Sequence, residues 1–322
     1  MSGKGKRKVY MVPTPAKRPT LQSSLDLHVQ RVLGYGGFGL VQEARWKQRD
    51  MAVAIKSYRR QVDHDDASFT QELHVLRTMQ HAFMPKFFGM FCCADDSRHL
   101  ILQLCPGGDL LTAMQQCVVS GDVFFYVVEL VAVIAHLHEH GLMHGDIKLE
   151  NVFIDDEGHI KLGDYGSSTY TTGWNDGVTG VRGSRCYIAP EMFFQPSYGL
   201  AADMWALGCV LFELYVQQGT PPFDPETMSG VASLLHMLPQ VQQLDPLVVD
   251  LMRRLLDTNP ETRISIADVQ KHKLFADVPW DKVAGKAWKV PPWVPEKDHD
   301  GFDPEFTSMP TIALRPTTIR LV

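Results

Sequence analysis

The hydrophobic pattern of the chain changes once, at segment 106–109, which reads Pro-Gly-Gly-Asp. Before it, from 28 to 58, apolar and β-branched residues form short runs separated by glycine-rich or charged turns, which is typical of β-strands. A helical spacing of apolar residues follows at 66–79, and two further strands are predicted at 86–94 and 98–105. After segment 106–109 the spacing of the apolar residues is mostly helical. We therefore expect a small β-rich lobe and a larger helical lobe, with a cleft between them.

The second part of the chain has six runs with helical spacing, and short strand pairs are predicted near 151–163. The predicted helices span 110–118, 121–140, 200–216, 227–238, 246–255 and 265–272. Beyond 277 the sequence is rich in proline and tryptophan, so we expect a tail that wraps along the body without regular structure. The predicted divisions are a disordered basic tail (1–24), a small lobe (25–103), a large lobe (104–276) and a C-terminal tail (277–322).

Composition identifies a globular protein. Apolar residues make up 45% and charged residues 21% of the 322 residues, which is ordinary for a chain with a hydrophobic core. The most apolar stretch, 126–137, is short and contains Glu129, whereas a membrane-spanning helix needs ~20 apolar residues. We therefore expect a buried core helix at this position and no transmembrane segment.

The charge is distributed unevenly along the chain. The net charge is −6, yet residues 1–20 carry only basic charged side chains. The remainder is acidic and would bind nucleic acid poorly, so neither DNA nor RNA is an expected partner. The basic run at 3–8 is typical of a nuclear import signal or of a patch that binds an anionic surface, and also of a solvated flexible arm. We expect a cytoplasmic location, or a nuclear one if this run directs import.

A glycine-rich hairpin is predicted near the start of the small lobe. Gly34, Gly36 and Gly39 form G-x-G-x-x-G, and Val41 follows. The pattern alone is weak and is equally compatible with a simple hairpin turn. A dinucleotide fold would need a helix after this loop, but here a strand follows, and the next strand ends in Lys56. Glycines let the backbone approach phosphate oxygens, and a lysine on the next strand would neutralise them.

A lysine that stays fixed over phosphates needs an ion-pair partner. Glu72 lies on the predicted helix 66–79 and is the candidate. A glutamate on a helix is more often a surface residue, so this assignment depends on the other residues of the set.

A short polar loop before an apolar strand holds three residues suited to phosphoryl transfer. Asp146 would accept a hydroxyl proton, Lys148 would contact the moving phosphoryl group and Asn151 would hold a metal ion. Asp164 follows at a strand end, before Gly166. It supplies a carboxylate for Mg²⁺, which is commonly bound by one or two carboxylates plus substrate phosphates.

These residues occur in the order found in eukaryotic protein kinases, and the chain resembles that family over about 28–307. The residues that carry the resemblance are Gly34, Gly36, Gly39, Lys56, Glu72, Asp146, Lys148, Asn151, Asp164, Ala189-Pro190-Glu191, Asp203-Met204-Trp205, Gly208 and Arg263. The resemblance implies an α+β, two-lobed kinase fold: a small antiparallel β lobe with one helix, a larger mainly α lobe and a wrapping C-terminal tail. It also implies ATP and Mg²⁺ in the cleft. Glu191 and Arg263 would form a buried structural ion pair, and Asp203 would brace the catalytic loop.

Within the family, the chain is most similar to the AGC serine/threonine group. The similar segments are 81–91, 158–166 and 291–310. The last resembles that group's C-terminal tail, which implies that Phe302 or Phe306 lies near the adenine. The equal alternative is an aromatic anchor that holds the tail on the body.

The resemblance also assigns contacts to nucleotide and substrate. The hinge would be 103–105, with Leu102 as gatekeeper, and Asp109 would reach the ribose or a basic substrate residue. The residues implied around the nucleotide are Gly34, Gly36, Gly39, Val41, Ala54, Lys56, Glu72, Gln103, Cys105, Asp109, Asn151 and Asp164. Lys148 fits Ser/Thr rather than Tyr specificity. Glu150 and Glu213 match acids that bind substrate arginine in basophilic relatives, so the expected partners are basic Ser/Thr protein substrates, including arginine-rich ones.

Two departures from the family pattern concern regulation. Gly145 stands where the family has an arginine that grips a phosphate on the activation loop. Gly180, next to Thr179, stands at the position of the phosphothreonine. Acceptor and arginine are absent together, so we expect activity without activation-loop phosphorylation. The group's distal hydrophobic phosphorylation motif is not evident either.

Two other functions remain open on the sequence. His-Gly-Asp at 144–146 also occurs in small-molecule kinases of the aminoglycoside and choline type, although Ala-Pro-Glu and Asp-Met-Trp favour a protein kinase. An inactive scaffold would keep the fold, but the set of Lys56, Asp146, Asn151 and Asp164 is intact.

The cysteines and clustered histidines are expected to be structural. Six cysteines without a C-x-x-C pair are typical of reduced thiols. Cys105 and Cys186 are alternative redox or covalent-ligand sites, but neither has a basic neighbour in sequence. His140 and His144 have the spacing of a zinc pair, whereas a helix end that leads into the catalytic loop is the simpler interpretation.

Overall fold

The computed structural model describes residues 25–36, 39–58, 63–119, 123–171, 173–217, 241–296 and 301–322. Three predictions lie wholly or partly outside these ranges: the disordered tail at 1–24, the helix at 227–238 and the tip of the glycine-rich hairpin.

The described residues form ten strands in three sheets. The strands are β1 (Leu27–Gly36), β2 (Gly39–Trp46), β3 (Met51–Tyr58), β4 (Phe87–Cys93), β5 (Arg98–Gln103), β6 (Leu142–Met143), β7 (Val152–Ile154), β8 (Ile160–Leu162), β9 (Thr169–Tyr170) and β10 (Pro316–Leu321). Six of them build the small-lobe sheet, in the order β1-β2-β3-β5-β4-β10. The strands β1 to β5 in this sheet are antiparallel neighbours, as the sequence predicted.

The central strand β3 is covered on both faces, so its side chains from Val53 onward are buried. Val53 and Ile55 point to an outer apolar cluster, while Lys56 and Tyr58 belong to the inner side. The alternation follows from the two-residue period of a strand. It places a charged side chain in the interior, where it needs a partner.

One helix packs on the inner face of the small-lobe sheet. Helix α1 (Asp63–Thr78) begins three residues before the predicted start. Phe69 and Leu76 are buried against the sheet at the seven-residue spacing of one helix face. The ring of Phe69 lies edge-on to Tyr58, with 5.2 Å between the ring centres. This packing fixes α1 relative to β3.

The C-terminal tail contains regular structure, so the prediction of an irregular tail is wrong for two segments. A short helix spans Pro304–Thr307, and β10 pairs antiparallel with β4. Ile319 and Leu321 pack against the outer cluster of the small lobe. The segment has the β-branched, alternating residues of a strand, and a proline is tolerated as the first residue of an edge strand. Pairing also covers the β4 edge, which would otherwise expose its backbone groups.

The large lobe is helical. Its helices, followed by those of the tail, are α2 (Leu110–Gln115), α3 (Val123–Glu139), α4 (Glu191–Phe194), α5 (Ala201–Phe212), α6 (Pro246–Leu255), α7 (Ile266–Val269), α8 (Trp280–Ala284) and α9 (Pro304–Thr307). Helices α3 and α5 are almost entirely buried, which confirms the predicted core helix at 126–137. None of the helices described here is long and apolar enough to cross a membrane.

The predicted helix bounds hold best where the apolar face is narrow and continuous. Helix α6 matches its prediction of 246–255, and Asp245 caps its start by accepting from the backbone N–H of Leu247 at 2.8 Å. The predicted helix at 265–272 is only the short α7, because the chain turns into a 3₁₀ helix at Lys273–Phe275. His272 caps that turn through its ring nitrogen.

A buried ion pair joins α4 to the segment after α6. The guanidinium of Arg263 donates to both carboxylate oxygens of Glu191, at 2.6 and 2.9 Å, and also to the carbonyl of Ala201 at 2.8 Å. Both side chains are fully buried. The pair is thus the structural contact that the resemblance implied, since each charge is matched by hydrogen bonds in the low-dielectric interior.

Replacing Arg263 by alanine should leave the Glu191 carboxylate buried without a partner. The expected loss in the free energy of unfolding is about 3–5 kcal/mol, measured by urea denaturation. Arg254→Ala is the matched control, because Arg254 forms an exposed pair with Asp250 worth under ~1 kcal/mol. Equal losses for the two variants would contradict the structural role of Arg263.

Candidate active site

The site begins with Lys56 on β3, whose ammonium group bridges two carboxylates. Its Nζ lies 2.6 Å from Oε2 of Glu72 on α1 and 2.9 Å from Oδ1 of Asp164. Lys56 and Glu72 are buried, and Asp164 is nearly so. The three predicted residues therefore converge, although 108 positions separate Lys56 from Asp164.

The charges of this triad control one another. Burial by itself would lower the pKa of Lys56, but the neighbouring Asp164 and Glu72 carboxylates outweigh it and raise the pKa well above its ordinary value. Burial would likewise raise the pKa of Asp164, yet the Lys56 charge holds it below the usual range. Lys56 is therefore cationic and Asp164 anionic at neutral pH, as binding of phosphate and a metal ion requires.

Tyr58 is a further member of the site that sequence reasoning missed. Its hydroxyl donates to Oε2 of Glu72, the same oxygen that Lys56 contacts. Tyr58 and Lys56 are two positions apart on β3, so their side chains leave the strand on the same face. That spacing was a usable signal. The hydroxyl and the ammonium together hold the carboxylate in place.

The catalytic loop between β6 and β7 presents Asp146, Lys148 and Asn151 together. The amide nitrogen of Asn151 donates to the backbone carbonyl of Asp146 at 2.7 Å and to its carboxylate at 3.1 Å. Lys148 lies 3.3 Å from the same carboxylate. Because the amide nitrogen of Asn151 is used in this way, its amide oxygen is the atom left to serve as a metal ligand.

Ser184, on the segment before α4, forms hydrogen bonds with the catalytic loop. Its backbone N–H donates to Asp146 at 2.8 Å, and its hydroxyl accepts from Lys148 at 2.5 Å. The carboxylate of Asp146 thus receives hydrogen bonds from two sides and is held in one orientation. A fixed carboxylate suits a group that accepts a proton from an incoming hydroxyl.

Asp203, on α5, holds the catalytic loop through hydrogen bonds to its backbone. Its carboxylate accepts from the backbone N–H groups of His144 and Gly145, at 2.8 and 2.9 Å, and contacts His138 at 2.9 Å. Burial would raise the pKa of Asp203, but the hydrogen bond from His138 lowers it, so the carboxylate stays charged. Asp203 thus occupies the bracing position that the resemblance implied.

Asp164 has a left-handed backbone, with φ of 65°. This conformation is uncommon outside glycine, though aspartate tolerates it better than most residues. It turns the carboxylate towards Lys56. The next residue, Tyr165, is fully buried, and its hydroxyl donates to the carbonyl of Leu162 at 2.6 Å. The buried hydroxyl of Tyr165 therefore has a partner.

The glycine-rich hairpin lies at the β1–β2 end above this triad. Gly36 pairs with Gly39, and Val41 pairs with both Gly34 and Lys56. A Cβ at Gly34 would meet no atom within 4 Å, which is consistent with an open face for phosphate. At Gly39, the backbone conformation and a close neighbour require glycine. Its φ is 123°, and a Cβ there would lie 2.1 Å from the carbonyl oxygen of Ser57.

The predicted nucleotide-binding wall is formed by β3 and β5. Ala54 pairs with Leu102, and the backbone of Gln103 donates to the carbonyl of Lys86 at 2.9 Å. Cys105 is buried, and this burial raises the pKa of its thiol to about 12. The thiol therefore stays protonated, which argues against a redox role.

Asp109 caps α2 in addition to any contact with ligand. Its two carboxylate oxygens accept from the backbone N–H and the hydroxyl of Thr112, both at 2.9 Å. This is an ordinary N-cap arrangement. The predicted contact of Asp109 with ribose or substrate remains a prediction.

The C-terminal tail crosses the hinge at Gly301. The backbones of Gly301 and of Gly107-Gly108 are so close that a Cβ on Gly108 would overlap the Gly301 carbonyl. Phe302 follows, with the guanidinium of Arg31 on β1 5.2 Å from its ring centre. The tail is therefore anchored here. A contact of Phe302 or Phe306 with adenine stays a prediction.

The segment between Asp164 and α4 has several contacts with its surroundings. Gly145 has φ of 78°, and a Cβ there would lie 2.8 Å from the carbonyl oxygen of Ser167. Arg182 donates to the hydroxyl of Thr169 on β9 at 2.9 Å. Gly180 accepts from the hydroxyl of Tyr198 at 2.5 Å. These contacts join both ends of the segment to the large lobe.

An anionic pocket lies beside the catalytic loop. Glu213 begins a π-helical turn at the end of α5 and is fully buried. Its neighbours are Glu150 and Tyr187, and the Tyr187 hydroxyl also lies 3.4 Å from Glu150. Burial raises the pKa of Glu213 to about 8; a hydrogen bond from Tyr187 opposes this rise and the charge of Glu150 adds to it.

The alternative metal site at the histidines is not formed. His144 is buried and bonds to the carbonyl of Gly163 at 3.1 Å, whereas His140 bonds to the carbonyl of His136 at 2.7 Å. Across the ranges that the structure describes, no group of three His, Cys, Asp or Glu residues is arranged to bind a metal ion by itself. Asp164 and Asn151 instead offer the carboxylate and amide oxygens that suit Mg²⁺ when substrate phosphates complete the shell.

Comparison with known proteins agrees with this geometry. A family model described as the protein kinase domain matches residues 27–275. The chain is 30% identical over 317 residues to serine/threonine-protein kinase N2 of Danio rerio, covering 92% of this chain and 32% of the relative. It is 31% identical over 313 residues to protein kinase C of Drosophila melanogaster, covering 91% and 41%.

A third relative is protein kinase C zeta type of Oryctolagus cuniculus, which is 29% identical over 313 residues, covering 88% of this chain and 52% of the relative. The chain therefore spans between about a third and a half of the length of these relatives. All three are AGC-group kinases, which confirms the AGC-like resemblance. The chain belongs to the protein kinase family.

Proposed function

We propose that this protein is an ATP-dependent serine/threonine protein kinase. It transfers the γ-phosphoryl group of ATP to a hydroxyl of a protein substrate. The observation that carries the proposal is the buried contact of 2.9 Å between Lys56 of the small lobe and Asp164 of the large lobe. Lys56 is a cation that can bind phosphates, and Asp164 is a carboxylate that can bind a metal ion. Their contact, close to Asp146, suits phosphoryl transfer.

The transition state of this transfer is loose, so positioning and charge neutralisation supply most of the catalysis. Lys56, fixed by Glu72, binds the α- and β-phosphates. Asp146 orients the substrate hydroxyl and accepts its proton, while Lys148 stabilises the γ-phosphoryl group. The glycine-rich hairpin covers the phosphates and excludes water. Asp164 and Asn151 would hold Mg²⁺, which would supply positive charge against the phosphate oxygens.

Ser/Thr specificity is supported by the catalytic loop and by the relatives. Lys148 contacts both Asp146 and Ser184, so it stands beside the hydroxyl that is to be phosphorylated. The name of the Danio rerio relative states serine/threonine specificity. The intact set of Lys56, Asp146, Asn151 and Asp164 favours an active enzyme over a scaffold.

The preference for basic substrates rests on Glu213 and Glu150. Two carboxyl groups side by side, one of them fully buried, are unfavourable in their charged forms without a neighbouring cation. A substrate arginine entering the pocket would supply both charge and donors, since a guanidinium matches carboxylates in bidentate geometry. The pocket lies close to Asp146, because Tyr187 contacts Glu150 and its backbone N–H donates to Ser184 at 2.9 Å.

Independence from activation-loop phosphorylation is supported by what replaces the phosphate. The Arg182–Thr169 hydrogen bond and the Tyr198–Gly180 hydrogen bond hold the segment without added charge. Gly145 offers no side chain to bind a phosphate.

Asp164→Asn should remove the carboxylate for Mg²⁺ while keeping the size of the side chain. Transfer of labelled phosphate from ATP to a basic Ser peptide is expected to fall by at least about 10²–10³-fold, as for loss of a main electrostatic contact. The exposed Asp277→Asn is the matched control. Retained transfer in a folded Asp164→Asn protein, with folding checked by circular dichroism, would argue against this role.

Glu213→Gln should weaken binding of arginine substrates in particular. We expect KM to rise about tenfold, equal to ~1.4 kcal/mol, for a peptide with arginine two residues before the serine, and to stay unchanged for a peptide with glutamine there. Glu261→Gln, at an exposed position, is the control. If the substitution changes KM equally for both peptides, the pocket does not recognise arginine.

The pH dependence follows from the Glu213 pKa of about 8. Below this pH the empty pocket is protonated, so binding of arginine must release a proton. The KM ratio of the arginine peptide to the glutamine peptide should therefore fall as the pH rises from 7 to 9, and Glu213→Gln should abolish this change. A ratio that is flat with pH in the unmodified enzyme would contradict the predicted titration.

Phosphatase treatment should leave the rate of peptide phosphorylation within about twofold of the rate of the untreated enzyme. The reason is that the Arg182–Thr169 contact replaces a phosphate-mediated one. Arg182→Ala and Thr169→Val should each lower the rate, and the double variant should lower it no further, because the two remove one interaction. Loss of activity on phosphatase treatment, with a phosphosite mapped to 167–182, would overturn this prediction.

A further inference from the structure

We infer that Tyr58 is a positioning residue for the proposed reaction. Its hydroxyl holds the carboxylate of Glu72, and through it the ammonium group of Lys56, in the place from which Lys56 binds the nucleotide phosphates. This role rests on the proposed function, because it concerns the same site.

Lys56 has two carboxylate partners, and one of them has a second task. The Lys56 ammonium lies 2.6 Å from Glu72 and 2.9 Å from Asp164. Asp164 is the proposed ligand of Mg²⁺, which is commonly bound by one or two carboxylates plus substrate phosphates. Glu72 is the partner whose proposed task is to hold Lys56 alone. A group that fixes Glu72 therefore fixes the cation that faces the phosphates.

Tyr58 fixes Glu72 from the same strand that carries Lys56. Its hydroxyl donates to Oε2 of Glu72, the oxygen that also accepts from Lys56. Lys56 and Tyr58 are two positions apart on β3, so both side chains leave the strand on one face. The carboxylate thus accepts from two donors that belong to one strand, and two such bonds restrict its orientation more than one bond does.

Tyr58 is itself held in place by α1. It is 3% exposed, and its ring lies edge-on to Phe69, with 5.2 Å between the ring centres. Phe69 and Glu72 are three residues apart and therefore neighbours on one face of α1. The Lys56 ammonium lies 5.4 Å from the centre of the Tyr58 ring, within the range of a cation–π contact. One side chain thus contacts both the helix and the lysine.

The charges of these groups favour the same arrangement. Burial, with the charge of Glu72 added, raises the pKa of Tyr58 well above its ordinary value, so the hydroxyl keeps its proton and remains a donor. Burial also raises the pKa of Glu72, and the charge of Lys56 and the hydrogen bonds from Lys56 and Tyr58 oppose this rise. Hydrogen bonds to charged groups are stronger than those between neutral groups.

This arrangement holds α1 inward without an added phosphate. Both donors to Glu72 belong to β3, which lies inside the small-lobe sheet between β2 and β5. The position of α1 therefore depends on contacts within the small lobe, and the same contacts direct Lys56.

The test compares Tyr58→Phe with Tyr126→Phe. The first substitution removes the hydroxyl and keeps the ring that packs on Phe69. The second removes the hydroxyl of another buried tyrosine, on α3, which has no hydrogen-bond partner among the described residues. Urea denaturation in the absence of nucleotide and metal ion checks that both variants are folded.

Kinetics with ATP and a basic Ser peptide provide the first readout. Tyr58→Phe should raise KM for ATP about tenfold and leave KM for the peptide unchanged, because Lys56 faces the nucleotide in the proposed mechanism. Tyr126→Phe should change neither value. A hydroxyl that only stabilised the fold would alter the amount of active enzyme, and thus the apparent kcat, without changing KM for ATP. An unchanged KM for ATP in Tyr58→Phe would overturn the inference, whatever happens to kcat.

Binding without turnover provides the second readout. In calorimetric titration with a non-hydrolysable ATP analogue and Mg²⁺, Tyr58→Phe should raise Kd about tenfold, and the stoichiometry reports the folded fraction. A Kd equal to that of the unmodified protein would overturn the inference even if the stoichiometry falls.

The role of Glu72 as the link is tested in a Glu72→Ala background, which lacks the acceptor of the Tyr58 hydroxyl. Adding Tyr58→Phe there should change Kd less than about twofold, because both substitutions remove one interaction. A further tenfold loss would overturn the assignment, since Tyr58 would then act without Glu72.

The unmodified enzyme separates this role from the proposed function. If it phosphorylates the peptide while Tyr58→Phe keeps the same KM for ATP and the same Kd, only the role of Tyr58 is overturned. If the unmodified enzyme phosphorylates no Ser or Thr peptide, the proposed function is overturned and the role of Tyr58 falls with it.

Discussion

The structure depends on one buried cation. Lys56 lies in the middle strand of the small-lobe sheet, where an unpaired ammonium would be strongly unfavourable. Glu72 and Asp164 compensate it, and they come from the two elements that must meet for a site to exist, helix α1 and the start of the segment after β8. Because two carboxylates surround one lysine, and Asp146 lies close by, the site has an excess of negative charge. Mg²⁺ would supply the positive charge that matches these carboxylates, and the nucleotide phosphates would face Lys56.

A second centre, Asp203, holds the catalytic loop to the core of the large lobe. Helix α5 is buried along its whole length, so Asp203 does not move relative to the core. Its carboxylate receives backbone N–H groups of His144 and Gly145 and thereby sets the path of the loop. The left-handed backbone at Gly145 follows from this path, and the close carbonyl of Ser167 leaves little room for a side chain there. The glycine that departs from the family pattern therefore fits its local geometry.

The same elements explain how substrate recognition and regulation are connected. The segment after Asp164 is held by hydrogen bonds from Arg182 and Tyr198 to uncharged oxygens, and it carries Ser184 and Tyr187 into the site. Glu213, at the change from α to π helix, completes with Glu150 a pocket that holds two carboxyl groups. A pocket that is costly when empty gains most from a substrate that brings a cation.

The sequence by itself determined the strand and helix types, most of their bounds and the order of Lys56, Glu72, Asp146, Asn151 and Asp164, because period and motif spacing are local properties. Tertiary structure decided what local patterns do not contain: that Tyr58 shares the Glu72 carboxylate and that β10 closes the edge of β4. It also decided that Glu213 is fully buried beside Tyr187 and Glu150. Each of these depends on contacts between residues far apart in the chain or on the removal of water, and burial cannot be read from a residue's neighbours in sequence.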